Sequence, residues 1–274
     1  MHRPPKLETC LDLTHAFPPF MQQLPSVPFM GLPLARCSTE EFIRWLTSAA
    51  RDRSAGRTVA YLNAAQVNLA FVSADFAARL RTMDVLYADG QGVVWAARWL
   101  GLPIPERVNA ADFIDELLGL LARESVRLAL LGGRPGEAEA FADRACARHP
   151  SLRIVFHHHG YFAETEEAGV LKALNQNDPD LVLLGIGAPR QETLAEAWSK
   201  RSPPRVWWCV GALFEYVAGR RRRAPRWMRR LGLEWLFRLA LEPRRLARRY
   251  LLGNPLFVYR VLRRAAIPPS TPTD

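Results

Sequence analysis

No run of about 18 uninterrupted apolar residues occurs in the 274-residue chain, so no segment is suited to cross a bilayer as a helix. The N-terminus has no basic patch followed by an apolar stretch and a small-residue cleavage site, and export by a signal peptide is not expected. Cysteine is scarce. Cys10, Cys37, Cys146 and Cys209 stand far apart without a C-x-x-C pair. This argues against a zinc knuckle or a disulfide framework and fits a reducing cytoplasm. No H-x-x-x-H spacing occurs, and the one histidine triplet, His157-His158-His159, falls at an expected strand end, where successive side chains point to opposite faces. No metal site is expected, so arginines and helix dipoles must meet any phosphate the chain handles.

Acids are nearly missing from one region. Between Arg220 and Arg264 fifteen arginines face only Glu234 and Glu242, a local net charge of +13 in a chain whose total is +10, which leaves −3 for everything else. The basic character is therefore an address for that segment alone. Its arginines interleave with Trp227, Met228, Leu231, Leu233, Trp235, Leu236, Phe237, Leu239 and Leu241, and Pro243 and Pro255 are expected to cut it into three short amphipathic helices. Three readings stand: a basic element lying on anionic lipid, a solvated helical subdomain, and a single-stranded nucleic-acid binder.

With 49% hydrophobic and 23% charged residues the chain can bury one substantial core. Residues 1–29 are proline-rich and read as an irregular lead-in, 30–218 as the core, 219–266 as the basic appendage and 267–274 as a disordered end. Ser38 and Glu41 form a capping box that opens a helix through about Arg51. Six apolar runs follow, each leading into a helical pattern: "TVAYLN", "DVLYADG", "RLALLGG", "RIVFHHHG", "DLVLLGIG" and "RVWWCVGA". That alternation predicts an α/β fold, a Rossmann-like parallel sheet with helices on both faces.

Ligands of such sheets bind outside the carboxyl ends of the strands. Those ends carry Asn63, Asp89-Gly90, Gly132-Gly133, Gly187 and Gly211. Asp89 is either a cap at the start of a helix or a carboxylate at the mouth of a pocket. "GIGAPRQE" has no third glycine and no acid after a following strand, which speaks against a dinucleotide fingerprint. It and "LLGGRPGE" are either plain turns or glycine-rich approaches to helix N-termini that suit anions.

In their order along the chain, "LNAAQVNLA", "DVLYADGQGVVWAARWLGLPIPERV", "LLGGRPGEAE", "HHHGYF", "DLVLLGIGAPRQE" and "VGALFEYVAGRRRRAPRWMRRLGLEWLFRL" resemble the WecG/TagA/CpsF bacterial glycosyltransferases, from about Met30 to Arg264. The resemblance implies an inverting, metal-independent enzyme without cofactor, which moves a hexose or N-acetylhexosamine from a UDP-sugar to a polyprenyl-diphosphate-linked saccharide for cell-surface or exopolysaccharide synthesis. It implies Asp89 as the base, Arg238, Arg245 and Arg248 as tail arginines over the leaving diphosphate, and a peripheral place on the cytoplasmic face of the plasma membrane. It further places Tyr61, Asn63, Gly90, Arg107, Gly132, Gly133, Gly187, Gln191 and Glu215 at the substrates. The implied partners are the two substrates and an anionic membrane surface, not nucleic acid, with a homo-oligomer left open. Tyr61 stands where the family often has threonine, Ala110 where it usually has glycine, and Glu215 where it has aspartate. A different class of function, a nucleic-acid-binding module that uses the arginine segment on a non-catalytic scaffold, is the alternative.

Overall fold

In the computed structural model, which describes residues 23–203 and 205–265, the capping box closes as expected. Ser38 Oγ accepts from the Glu41 N–H at 3.2 Å and the Glu41 carboxylate accepts from the Ser38 N–H at 2.7 Å, so the first helix, α1, runs Thr39–Arg51. Most of the lead-in and the segment 267–274 lie outside the described residues.

Eight strands are present where six were expected. The two additional ones, β1 (Ser26–Phe29) and β2 (Leu32–Ala35), form an antiparallel hairpin that begins inside the stretch read as irregular. Proline masked it, since Pro28 and Pro33 speak against a strand, yet they face each other across the pair and share one interruption of the ladder. The six expected strands follow as β3 (Arg57–Leu62), β4 (Val85–Ala88), β5 (Arg127–Gly132), β6 (Arg153–His158), β7 (Leu181–Gly185) and β8 (Val206–Cys209). All are parallel, and the sheet order is β1-β2-β4-β3-β8-β7-β5-β6. Continuous apolar runs such as Val85–Ala88 and Val206–Cys209 are buried along their whole length, as strands covered on both faces must be.

One face is covered by α1, α5 (Ala110–Arg123), α6 (Glu137–Arg148) and α9 (Leu213–Val217). The other carries α2 (Ala64–Val72), α3 (Ala74–Thr82), α4 (Gln91–Trp99), α7 (Glu167–Gln176) and α8 (Arg190–Ser199). Neighbouring strands β5 and β7 send their following helices, α6 and α8, to opposite faces, which opens a crevice between their carboxyl ends. Gly132 ends β5 here because a Cβ would lie 2.5 Å from the Cα of Gly185 in β7.

The arginine-rich segment folds back over that crevice as α10 (Arg226–Arg230), α11 (Glu234–Leu241), α12 (Pro243–Ala247), a π-helical segment Arg248–Leu252, and α13 (Gly253–Ala265). Pro243 opens a helix as expected, but Pro255 does not cut one: it sits in the first turn of α13, directly after the π segment. The wider π turn absorbs the donor that proline removes, and the helical path continues. Helix α13 rests on α2, where Asn68 Nδ2 donates to the Gly253 carbonyl at 2.7 Å and Arg260 donates to Asn68 Oδ1 at 2.7 Å. Phe257 and Val261 are buried in the same core cluster as Val67 of α2 and Val93 of α4.

Candidate active site

Asp89 follows β4 and faces a cavity of about 1120 Å³ whose floor is the carboxyl edge of the sheet and whose other wall is the C-terminal segment. Helix α4 begins with Gly90 as its N-cap and no side chain caps it, so Asp89 is not the cap. Its carboxylate is held from elsewhere: Asn109 Nδ2 donates to Oδ1 at 2.8 Å, and among the described residues no donor reaches Oδ2. Asn109 stands at the N-cap position of α5, yet its side chain makes no cap bond there. Instead its carbonyl oxygen accepts from Arg223 at 3.4 Å, which turns the amide donor toward Asp89.

Burial pushes the Asp89 carboxyl up to about 6, with Arg107 pulling it down, Glu234 pushing it up, Arg238 pulling it down and Asp112 pushing it up. Such a group is ionised at neutral pH while holding a proton far better than a surface aspartate. Arg107 donates to Asp112 at 2.6 Å and to Glu234 at 3.1 Å, so the core arginine meets an acid of the C-terminal segment inside the cavity. Arg238 lines the cavity and makes no ion pair among the described residues, while the Arg221, Arg223 and Arg238 guanidinium groups all lie within 5.9 Å of the Tyr216 ring.

Tyr61, Asn63, Gly90, Arg107, Gly133, Gly187, Glu215, Arg238 and Arg245 all line this cavity with Asp89. Asn63 also caps α2, its Oδ1 accepting from the N–H groups of Ala65 and Gln66 at 3.0 and 3.2 Å. Burial drives the Tyr61 phenol well above its ordinary range, so it is a neutral donor at the cavity wall. Three expected residues lie elsewhere. Gly132 is consumed by the β5–β7 contact described above. Gln191 is fully buried, and its Oε1 accepts from the N–H groups of Gly187 and Gly211, both at 3.1 Å, so it holds two site turns in place without reaching the cavity. Arg248 is exposed and off the cavity, and Arg249 lines it instead.

The glycine turns are also less open to anions than their composition suggested. The Glu137 carboxylate accepts from the Arg134 N–H at 2.8 Å, and Gln191 takes the Gly187 N–H, so both loops satisfy their own donors. At the uncapped start of α4 the Gly90 N–H is taken by the Leu62 carbonyl at 3.2 Å, and the N–H groups of Gln91 and Gly92, which line the cavity, are the ones without a partner among the described residues. The spacing Asp178-Pro179-Asp180 precedes β7 at the opposite end of the sheet, where Arg127 bonds both acids at 2.8 and 2.7 Å, a structural cluster remote from the cavity.

Asn109, Glu234, Tyr216 and Arg221 belong to the site and were not anticipated. Only Glu234 left a signal, as one of two acids in an otherwise basic stretch. Asn109 gave none beyond its fitness as a cap.

Residues 27–270 match the glycosyl transferase WecG/TagA/CpsF family. An N-acetylglucosaminyldiphosphoundecaprenol N-acetyl-beta-D-mannosaminyltransferase of Bacillus subtilis is 27% identical over 233 residues, 85% of this chain and 90% of the relative. A protein of the same description from Staphylococcus aureus is 30% identical over 195 residues, 71% of this chain and 75% of the relative. With the expected motifs gathered at one sheet edge and the match running through the C-terminal segment, the chain belongs to the WecG/TagA/CpsF family of glycosyl transferases.

Proposed function

We propose that the chain transfers a hexose or N-acetylhexosamine, with inversion, from a UDP-sugar to the saccharide of a polyprenyl-diphosphate-linked acceptor. The activity of the relatives supports N-acetylmannosamine as the sugar and N-acetylglucosaminyldiphosphoundecaprenol as the acceptor. The observation that carries the reading is Asp89, a carboxylate with one oxygen held and the other free at the cavity. Its free oxygen takes the proton of the acceptor hydroxyl as that oxygen attacks the anomeric carbon from the face opposite UDP. The new glycosidic bond forms as the bond to the diphosphate breaks, and the electron pair leaves with UDP. Arg238, which lines the cavity and has no acidic partner among the described residues, and the Gln91 and Gly92 N–H groups of α4 meet the charge that develops there.

Asp89→Asn is expected to lower turnover by roughly 10²-fold or more while UDP-sugar binding is largely kept. A variant with normal turnover would remove Asp89 from the chemistry. The reading includes metal independence, with Arg238 and the start of α4 in the place an ion would take at the diphosphate. Activity should therefore survive EDTA, and loss on chelation with recovery on magnesium or manganese would overturn that part.

The reading also places the chain peripherally on the cytoplasmic face of the plasma membrane, next to the nucleotide-sugar pool. No described helix is long and apolar enough to cross a membrane, and Arg244, Arg248, Arg263 and Arg264 are exposed beside Leu251, Leu252 and Tyr259. Nucleic acid has no comparable support, because Arg221, Arg223, Arg229 and Arg245 are paired with acids instead of lining an open groove.

A further inference from the structure

The cavity is divided by polarity. Its charged lining residues come from the strand-end turns, the α4–α5 connection with Arg107, the start of α6 and the segment from Glu215 to Arg249, whereas α4 and α13 contribute none. Beyond Gln91, Gly92 and Asn254 in their first turns, α4 gives Trp95, Ala96 and Trp99 and α13 gives Phe257, Val258, Val261 and Leu262. Trp95 and Trp99 are four residues apart on one helix and Val258 and Leu262 four apart on the other, so each pair forms one stripe. The two helices touch at their near ends, where a Cβ on Gly92 would lie 3.8 Å from the Phe257 ring. Phe257 and Val261 are buried in that contact, but Trp95, Trp99, Val258 and Leu262 remain between 50% and 57% exposed. Large apolar side chains left open beside a cationic chamber mark a site for an apolar group joined to an anionic one.

We propose that the channel between α4 and α13 holds the first isoprene units of the acceptor, so that the enzyme grips the lipid as well as its diphosphate-linked sugar. The inference rests on the glycosyltransferase reading above and deepens it. A ligand with an anionic head and a hydrocarbon chain spans both limbs of the one cavity, and burying the chain's methylenes supplies affinity that the sugar alone does not. Two tryptophans suit this position, since each offers a broad apolar face while its indole N–H stays wet.

The test compares two water-soluble acceptors, N-acetylglucosaminyl diphosphates that carry one isoprene unit or four, without vesicles or detergent. For the unaltered chain kcat/KM should be about tenfold or more higher with the longer acceptor. Trp99→Ala and Leu262→Ser, one from each wall and both at exposed positions, should each bring the ratio of the two values close to one. Circular dichroism of both variants checks the fold. An unaltered chain that does not distinguish the acceptors, or variants that keep the full ratio, would overturn the channel while leaving the transferase reading intact. Failure of the unaltered chain to use either acceptor would remove the transferase reading itself, and the channel with it.

Discussion

At Asp89 the energetics of folding oppose the role proposed for it. Its folded carboxyl titrates near 6, above the value of about 3.9 for an unfolded chain, so the folded state binds the proton more tightly. The group therefore costs stability above that window, the cost growing as pH rises from about 4 to 6 and vanishing at lower pH. Asp89→Asn should accordingly stabilise the protein by roughly 2–3 kcal/mol at pH 7.5 and by about 0.5 kcal/mol or less at pH 4. Denaturant melts at the two pH values check this, and a variant equally or less stable at pH 7.5 would contradict it. Asn109 works on the same carboxylate through a bond that favours its ionised form. Asn109→Ala should move the acid limb of the kcat/KM profile to higher pH, whereas a purely structural defect would lower the profile without displacing it. Of these two residues only Asp89 was legible beforehand. It belongs to a strand-end pattern that recurs along the chain, while the partner of Asn109 is 20 residues away and depends on how α5 enters the sheet.

At the level of elements, the start of α5 anchors the C-terminal segment. Asp112, in its first turn, pairs with Arg107, with Arg223 at 3.0 Å and with Arg229. Three guanidinium groups on one carboxylate form a network, and networks hold better than isolated surface pairs. Asp112→Asn should loosen residues 220–241, seen as faster amide exchange there, and lower turnover several-fold without a comparable change in the strands. Equal exchange in the two proteins would show that apolar packing alone holds the segment. The helices and parallel strands of the core were readable because each carries its own period and its own punctuation. The hairpin β1–β2 was not, because its two prolines argue against a strand until their cross-strand pairing is seen. The path through Pro255 was equally hidden, since a π turn has no local sequence mark.

For the molecule as a whole, the count of +13 overstates what the segment can offer a surface. Arg221, Arg223, Arg229 and Arg245 are neutralised by Glu215, Glu242, Asp112 and Glu234, and Arg238 faces the cavity. The outward charge lies with residues such as Arg244, Arg248, Arg263 and Arg264. Reversing Arg248, Arg263 and Arg264 to glutamate should abolish sedimentation with anionic vesicles, at on the order of 1 kcal/mol per basic residue near such a surface. Turnover of a water-soluble acceptor should remain within about twofold, because none of the three lines the cavity. Vesicle binding that persists in the variant would shift the attachment to the apolar residues.

One wall of the reaction chamber is made of residues that leave the ribosome after the whole sheet has been synthesised. A nascent chain thus carries Asp89 and the strand-end turns for some time with no roof over them, and it completes the chamber only when α11 and α13 fold back. Removal of the chain after Gly219 would return the enzyme to that state. It would leave Asp89 open to bulk water, without Arg238 and Arg249 in the cavity wall.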